Sequence, residues 1–205
     1  MKPLDEYVRH YYPANTLNGS DNRRLLMEIL AKKVNALIGN DIREDFYLKN
    51  WENLINEISK EDRIKINNMS YLQFPNLKLS IEEVQEMEGI INVRKLTLVI
   101  SLLCPIYTFF NEFCVNLKVI NGSIEIGKIV FLEDEIFRNL IISTDSNIKK
   151  LMKKHFSKFT YANHFDLMNT TMDYSKPWGN EDIDRVEYSV YEYLFDSTPI
   201  GKIFF

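Results

Sequence analysis

Leu117-Lys118-Val119-Ile120-Asn121-Gly122-Ser123-Ile124-Glu125-Ile126 sets an Asn-Gly dipeptide between two short runs in which apolar and polar residues alternate. Asn-Gly is the favoured centre of a two-residue hairpin, because both turn positions need positive φ and these two residues adopt it at least cost. The stretch therefore predicts a pair of antiparallel strands, and with them an antiparallel sheet in the fold. Gly127 is placed to bulge the returning strand, which runs on through Lys128 to Phe131 and stops at the charged Glu133-Asp134-Glu135.

Upstream the period is also two. From Asn92, Leu96, Leu98, Ile100 and Leu102 fall on one side and Thr97, Val99 and Ser101 on the other. Cys104-Pro105 interrupts this strand, since proline cannot donate to a ladder, and Ile106 to Val115, dense in Tyr, Phe and Thr, reads as a second one. Before that, to about Gly89, the pattern reads as helical. Ser20 caps a helix with Leu25, Leu26, Ile29, Leu30, Val34, Leu37 and Ile38 at three- and four-residue spacing, ended by Gly39-Asn40. Asp41 with Glu44 opens a second, with Ile42, Phe46, Trp51, Leu54, Ile55 and Ile58 as its stripe. Ser80-Ile81-Glu82-Glu83 reads as the capping box of a short acidic helix that stops at Gly89.

Downstream, Asp145 begins a basic helix with Ile148, Leu151, Met152, His155, Phe156 and Phe159 facing inward, placed to cover the sheet. Ser175 to Asn180 is a loop by its turn formers. Val186 to Leu194 fits both periods, and its β-branched and aromatic residues favour a strand. The expectation is a single α+β domain over 1–205, with helices in about 1–89, a mainly antiparallel sheet in about 90–205, and a C-terminal helix packed on that sheet.

The 205 residues are 45% apolar and 26% charged, which excludes disorder, collagen and coiled coil. A chain of this length buries about 70% of the surface its unfolded form exposes, so it folds without metal or disulfide. With 25 Lys and Arg against 29 Asp and Glu, the net charge is -4 and nucleic-acid binding is disfavoured. The one dense basic run, Lys149, Lys150, Lys153, Lys154 and Lys158, reads as a solvated helix face. Charge in Met1 to Glu6 stands where an export signal would have its apolar core, so the expected compartment is the cytoplasm. The apolar stretch Leu98 to Phe110 falls short of the roughly 20 residues that span a bilayer, so no membrane partner is expected. Cys104 and Cys114, set among apolar neighbours, read as small hydrophobes rather than a bridge.

Chemistry leaves few marks. His10, His155 and His164 form no HExxH, the cysteines form no CxxC, and GxSxG, GxGxxG and GxxxxGK[ST] are absent, so no cofactor, metal or catalytic residue is assigned. His155 lies on an apolar stripe and is expected to be a buried, hydrogen-bonded histidine; nothing beside His164 marks a nucleophile. The acidic clusters Glu133-Asp134-Glu135 and Glu181, Asp182, Asp184 could share a cation, but adjacency in sequence does not supply that geometry. They read instead as an acidic rim for a basic protein, with Trp178, Tyr188 and Tyr191 as aromatic anchors.

The segment Lys95 to Phe113, with Leu102-Leu103-Cys104-Pro105-Ile106-Tyr107-Thr108-Phe109-Phe110, followed by Ser189-Val190-Tyr191-Glu192-Tyr193-Leu194-Phe195, resembles bacterial immunity proteins of contact-dependent, polymorphic toxin systems. The resemblance lies in apolar and aromatic pattern, begins at Lys95, and leaves the N-terminal helices unmatched. It implies a cytoplasmic protein that neutralises a cognate toxin, such as a basic nuclease, by covering its active site or a surface it needs, with no cofactor and no catalytic residues. An immunity protein predicts a flat or convex acidic-aromatic patch. A small enzyme instead predicts a concave site converging His155 or His164 with carboxylates. An adaptor homo-oligomer predicts an apolar, self-complementary patch.

Overall fold

Period-two burial through the middle of the chain builds the sheet around which everything else packs. The computed structural model describes residues 4–12, 28, 32, 41–60, 64–70, 75–119, 121–131, 138–174, 177 and 187–195. Strands β1 (Ile64–Asn68), β2 (Asn76–Met87), β3 (Ile90–Ser101), β4 (Ile106–Val119) and β5 (Gly122–Phe131) lie side by side in that order, each antiparallel to its neighbours. β6 (Thr160–Tyr161) runs parallel to the start of β4. The helices are α1 (Leu4–Tyr11), α2 (Asp41–Ile58), α3 (Arg138–His155), α4 (His164–Asn169) and α5 (Val190–Leu194), and β7 (Thr171–Met172) pairs with β8 (Tyr188–Ser189).

Each face of the sheet carries its own core. On one, Leu77, Leu79, Ile81, Leu96, Leu98, Ile100, Tyr107 and Phe109 meet Trp51, Leu54 and Ile58 of α2 and Ile148 and Met152 of α3, with Phe156 just beyond it. On the other, Val99, Ile106 and Phe110 meet Val8 and Tyr12, Leu167 of α4, and Val190, Tyr191, Tyr193 and Leu194 of α5. Polar residues on this second face have specific work. Asn76 Nδ2 donates to the Phe195 carbonyl at 2.8 Å and Ser101 Oγ to the Leu194 carbonyl at 2.7 Å, satisfying the end of α5.

The antiparallel sheet, the alternation from Leu96 to Ser101 and the helix covering the sheet agree with the sequence reading. Several expectations are corrected. The helical part ends at Ile58, because Leu77, Leu79 and Ile81 alternate and take Ser80-Ile81-Glu82-Glu83 into β2. Glu88-Gly89 is the turn between β2 and β3 rather than a helix stop; both residues have positive φ, 51° and 81°, as a type I′ hairpin requires. In the β4–β5 hairpin, Gly122 pairs with Val119 and so stands in the ladder, and the register slips beside Gly127 as expected. Residues 106–119 are one strand rather than two. Residues 188–194 change from a two-residue strand to α5, which Ser189 and Glu192 open as a capping box: Ser189 Oγ accepts from Glu192 N–H at 3.3 Å, and Glu192 Oε2 accepts from Ser189 N–H at 2.7 Å. The basic helix starts at Arg138, seven residues before Asp145. The helix read from Ser20 to Ile38 lies outside the described residues apart from Glu28 and Lys32.

Strand length decides what is left uncovered. At about 3.3 Å per residue β4 spans roughly 46 Å, whereas an 18-residue helix such as α2 is about 27 Å long. Burial accordingly falls along β2 and β4 toward the end where the two hairpin turns meet.

Candidate functional site

Two places among the described residues could engage something outside the fold. The first is a cleft of about 350 Å³ between α2, α3 and β1, lined by Glu57, Ile58, Ile64, Asn147, Ile148, Lys150, Leu151 and Lys154. The helical period puts Asn147, Lys150 and Lys154 on one side of α3, while the buried Ile58 and Ile148 form an apolar floor. At the rim, Lys154 Nζ donates to both oxygens of Glu57 at 2.8 Å each, and His155 Nε2 lies 2.8 Å from Glu57 Oε2. Lys154 first and His155 second hold the Glu57 carboxyl below its ordinary range. The Trp51 indole, 3.5 Å from Asn68 Oδ1, ties α2 to β1 on the same side.

A histidine oriented by a carboxylate is half of a nucleophile-activating arrangement. The cleft lining supplies no hydroxyl or thiol to complete it. Among the described residues no three His, Cys, Asp or Glu side chains come together as metal ligands.

The second place is the uncovered end of the sheet. Register puts Met87 opposite Ile90, Ile90 opposite Leu117, and Leu117 opposite Ile124, so four apolar side chains form one row straight across β2 to β5. They are exposed by 71%, 42%, 45% and 56%, with Val119 alongside. Isolated exposed apolar residues are ordinary, but a contiguous row of them marks a contact surface. Glu86, paired with Lys118 at 2.7 Å, Glu88 and Glu125 stand at the same end, and Glu88 and Glu125 make no ion pair among the described residues.

Of the residues read from sequence as partner-binding, Tyr188 and Tyr191 are buried in the second core, which removes them as surface anchors: Tyr191 stacks on Phe195 and packs edge-on against His164. Glu133, Asp134, Glu135, Trp178, Glu181, Asp182 and Asp184 lie outside the described residues. His155 is buried for the most part and hydrogen-bonded, as expected. His164 is fully buried, stacked on Phe110 at 4.4 Å, with neither ring nitrogen in a hydrogen bond, and burial brings its pKa down to about 4. The lysine run is only partly a solvated face. Lys149 lies over the Phe109 and Tyr161 rings at 5.4 and 4.9 Å, and Lys154 is paired. Cys104 is buried, Cys114 half-buried, and both are free thiols; burial pushes the Cys104 thiol up to about 12.

The sequence reading misses the row because it places the segment from Ser80 to Gly89, which contains Met87, in a helix; the alternation beginning at Leu77 is the available signal. Among the described residues no helix is long and apolar enough to cross a membrane. Compared with known proteins, the chain matches no family model, no curated protein and no solved structure.

Proposed function

We propose that this chain acts in the cytoplasm as an immunity-type protein, which neutralises a cognate, basic bacterial toxin by covering it with the uncovered end of its sheet. One observation carries the reading: Met87, Ile90, Leu117 and Ile124 continue across four strands as an exposed apolar row. Such a row is costly in water, at about 25 cal/mol per Å² of apolar surface, and a partner that covers it recovers that free energy. Among the described residues β5 pairs only with β4, so its outer edge also offers backbone groups to a partner. Glu88, in the turn directly after Met87, favours a basic partner, whose approach it accelerates. The resemblance to immunity proteins points the same way, and its first segment covers most of β3 and the first half of β4.

A second reading, self-association, draws support from the absence of charge within the row itself, because a second copy could lay the same row against it. Co-expression with the product of the reading frame immediately upstream of this one, chosen as the candidate toxin, separates the two. The immunity reading expects growth with the wild-type chain and its loss with Leu117→Asp combined with Ile124→Asp. Growth rescued equally by that variant excludes the row as the toxin surface. A wild-type dimer in sedimentation that the variant abolishes, without any rescue, would replace the immunity reading by self-association.

A further inference from the structure

We propose that the cleft between α2, α3 and β1 binds a small amphipathic carboxylate, its head on Lys150 and its apolar tail against Ile58, Ile64, Ile148 and Leu151. The site is separate from the sheet end, and the inference does not rest on the toxin-binding reading.

Charge accounting gives the head group. Glu57 already receives Lys154 Nζ on both oxygens and has His155 Nε2 at 2.8 Å, so the one carboxylate of the lining is spoken for. Lys150, on the same side of α3 as Lys154, makes no ion pair among the described residues. The lining therefore carries a surplus positive charge, which favours an anion and repels a cation.

The floor gives the rest of the molecule. Ile58 and Ile148 are buried, Ile64 and Leu151 half-buried, and all four are aliphatic, so the inner part of the cleft is suited to hydrocarbon rather than to a sugar or a base. Asn147, one helical turn from Lys150, offers an amide that can donate to the second oxygen of a carboxylate. At about 30 Å³ per water-sized group, 350 Å³ accommodates about twelve non-hydrogen atoms, which is the size of decanoate. A polar head on one wall with an apolar floor below it is the pattern of small-ligand sites generally, a few polar groups fixing orientation and apolar contact supplying affinity.

Calorimetric titration of the full chain with decanoate tests this, with decylammonium as the charge-reversed comparator. The expected result is saturable binding of one decanoate per chain. Lys150→Glu, at an exposed helix position, should weaken it at least tenfold, as should Leu151→Trp, which fills the cleft from a different residue. Decylammonium should bind at least tenfold more weakly than decanoate. Circular dichroism of each variant confirms that it folds. The proposal is overturned if decanoate does not bind at about 1 mM, if both folded variants bind it as the wild type does, or if decylammonium binds equally well. Leu117→Asp with Ile124→Asp should leave decanoate binding intact, so failure here and failure of the toxin-binding reading are distinguishable.

Discussion

His164 concentrates the chemistry that a single residue can impose on this fold. Its ring is wholly buried between Phe110 and Tyr191, and burial, reinforced by the charge of Lys78, brings its pKa from 6.5 to about 4. The folded chain thus holds the ring neutral where the unfolded chain protonates it. The associated stabilisation is complete above pH 6.5 and is lost as pH falls toward 4; it amounts to about 3 kcal/mol. Urea denaturation at pH 7, 5.5 and 4.5 should show this decline, and His164→Phe should flatten it; an unchanged slope in the variant would show that another group is responsible. Glu57 has the same sign in a lower range, because its carboxyl is held down by Lys154 and its contribution is lost only as the carboxylate takes up a proton. The sequence marked both histidines as candidates but could not supply Glu57. That partner is 98 residues from His155, and no local pattern links positions on α2 and α3.

At the scale of elements, tertiary pairing overrides local signals in two informative places. Ser80-Ile81-Glu82-Glu83 carries the residues of a capping box, yet the alternation of Leu77, Leu79 and Ile81 against Leu96, Leu98 and Ile100 buries far more apolar surface as a strand. In residues 188–194 the reverse happened: β-branched and aromatic content suggested a strand, while Ser189 and Glu192 formed the capping box of α5. In both segments the same tetrapeptide logic was present, and only the partner across the core decided it. The Glu88-Gly89 turn is where β2 becomes dependent on one residue. Gly89 has φ 81°, and a Cβ there would meet nothing within 4 Å, so the cost of substitution is conformational alone. Gly89→Ala should therefore destabilise by about 1–2 kcal/mol, read as a lower denaturation midpoint with unchanged slope. A variant as stable as the wild type would show that this turn does not hold the hairpin.

For the whole molecule, the sequence made the class legible: an antiparallel sheet, helices preceding it and a basic helix laid across it. The strands from Asn92 and the stripes of α2 and α3 were strong enough to read because each buries one periodic set of side chains. Leu98, at the centre of one core and fully buried, shows what that burial is worth. Leu98→Ala should cost about 2–5 kcal/mol, measured by equilibrium denaturation, without altering the exposed row. What the sequence did not disclose was the mismatch in length between strands and helices. That mismatch emerges only once β2 is known to be a strand, since it supplies Met87 to the row of Ile90, Leu117 and Ile124. The tyrosines read as anchors proved to be core, because aromatic residues serve burial and recognition equally well and composition does not separate the two.

The central proposal, that the uncovered end of the sheet is a toxin-binding surface, is tested most directly by measuring the affinity of the product of the reading frame immediately upstream for the wild-type chain and for Leu117→Asp with Ile124→Asp. Nanomolar binding by the wild type, weakened at least a hundredfold in a variant whose denaturation midpoint is unchanged, is the expected result. Equal affinity of the two chains, or no binding by either, would contradict it.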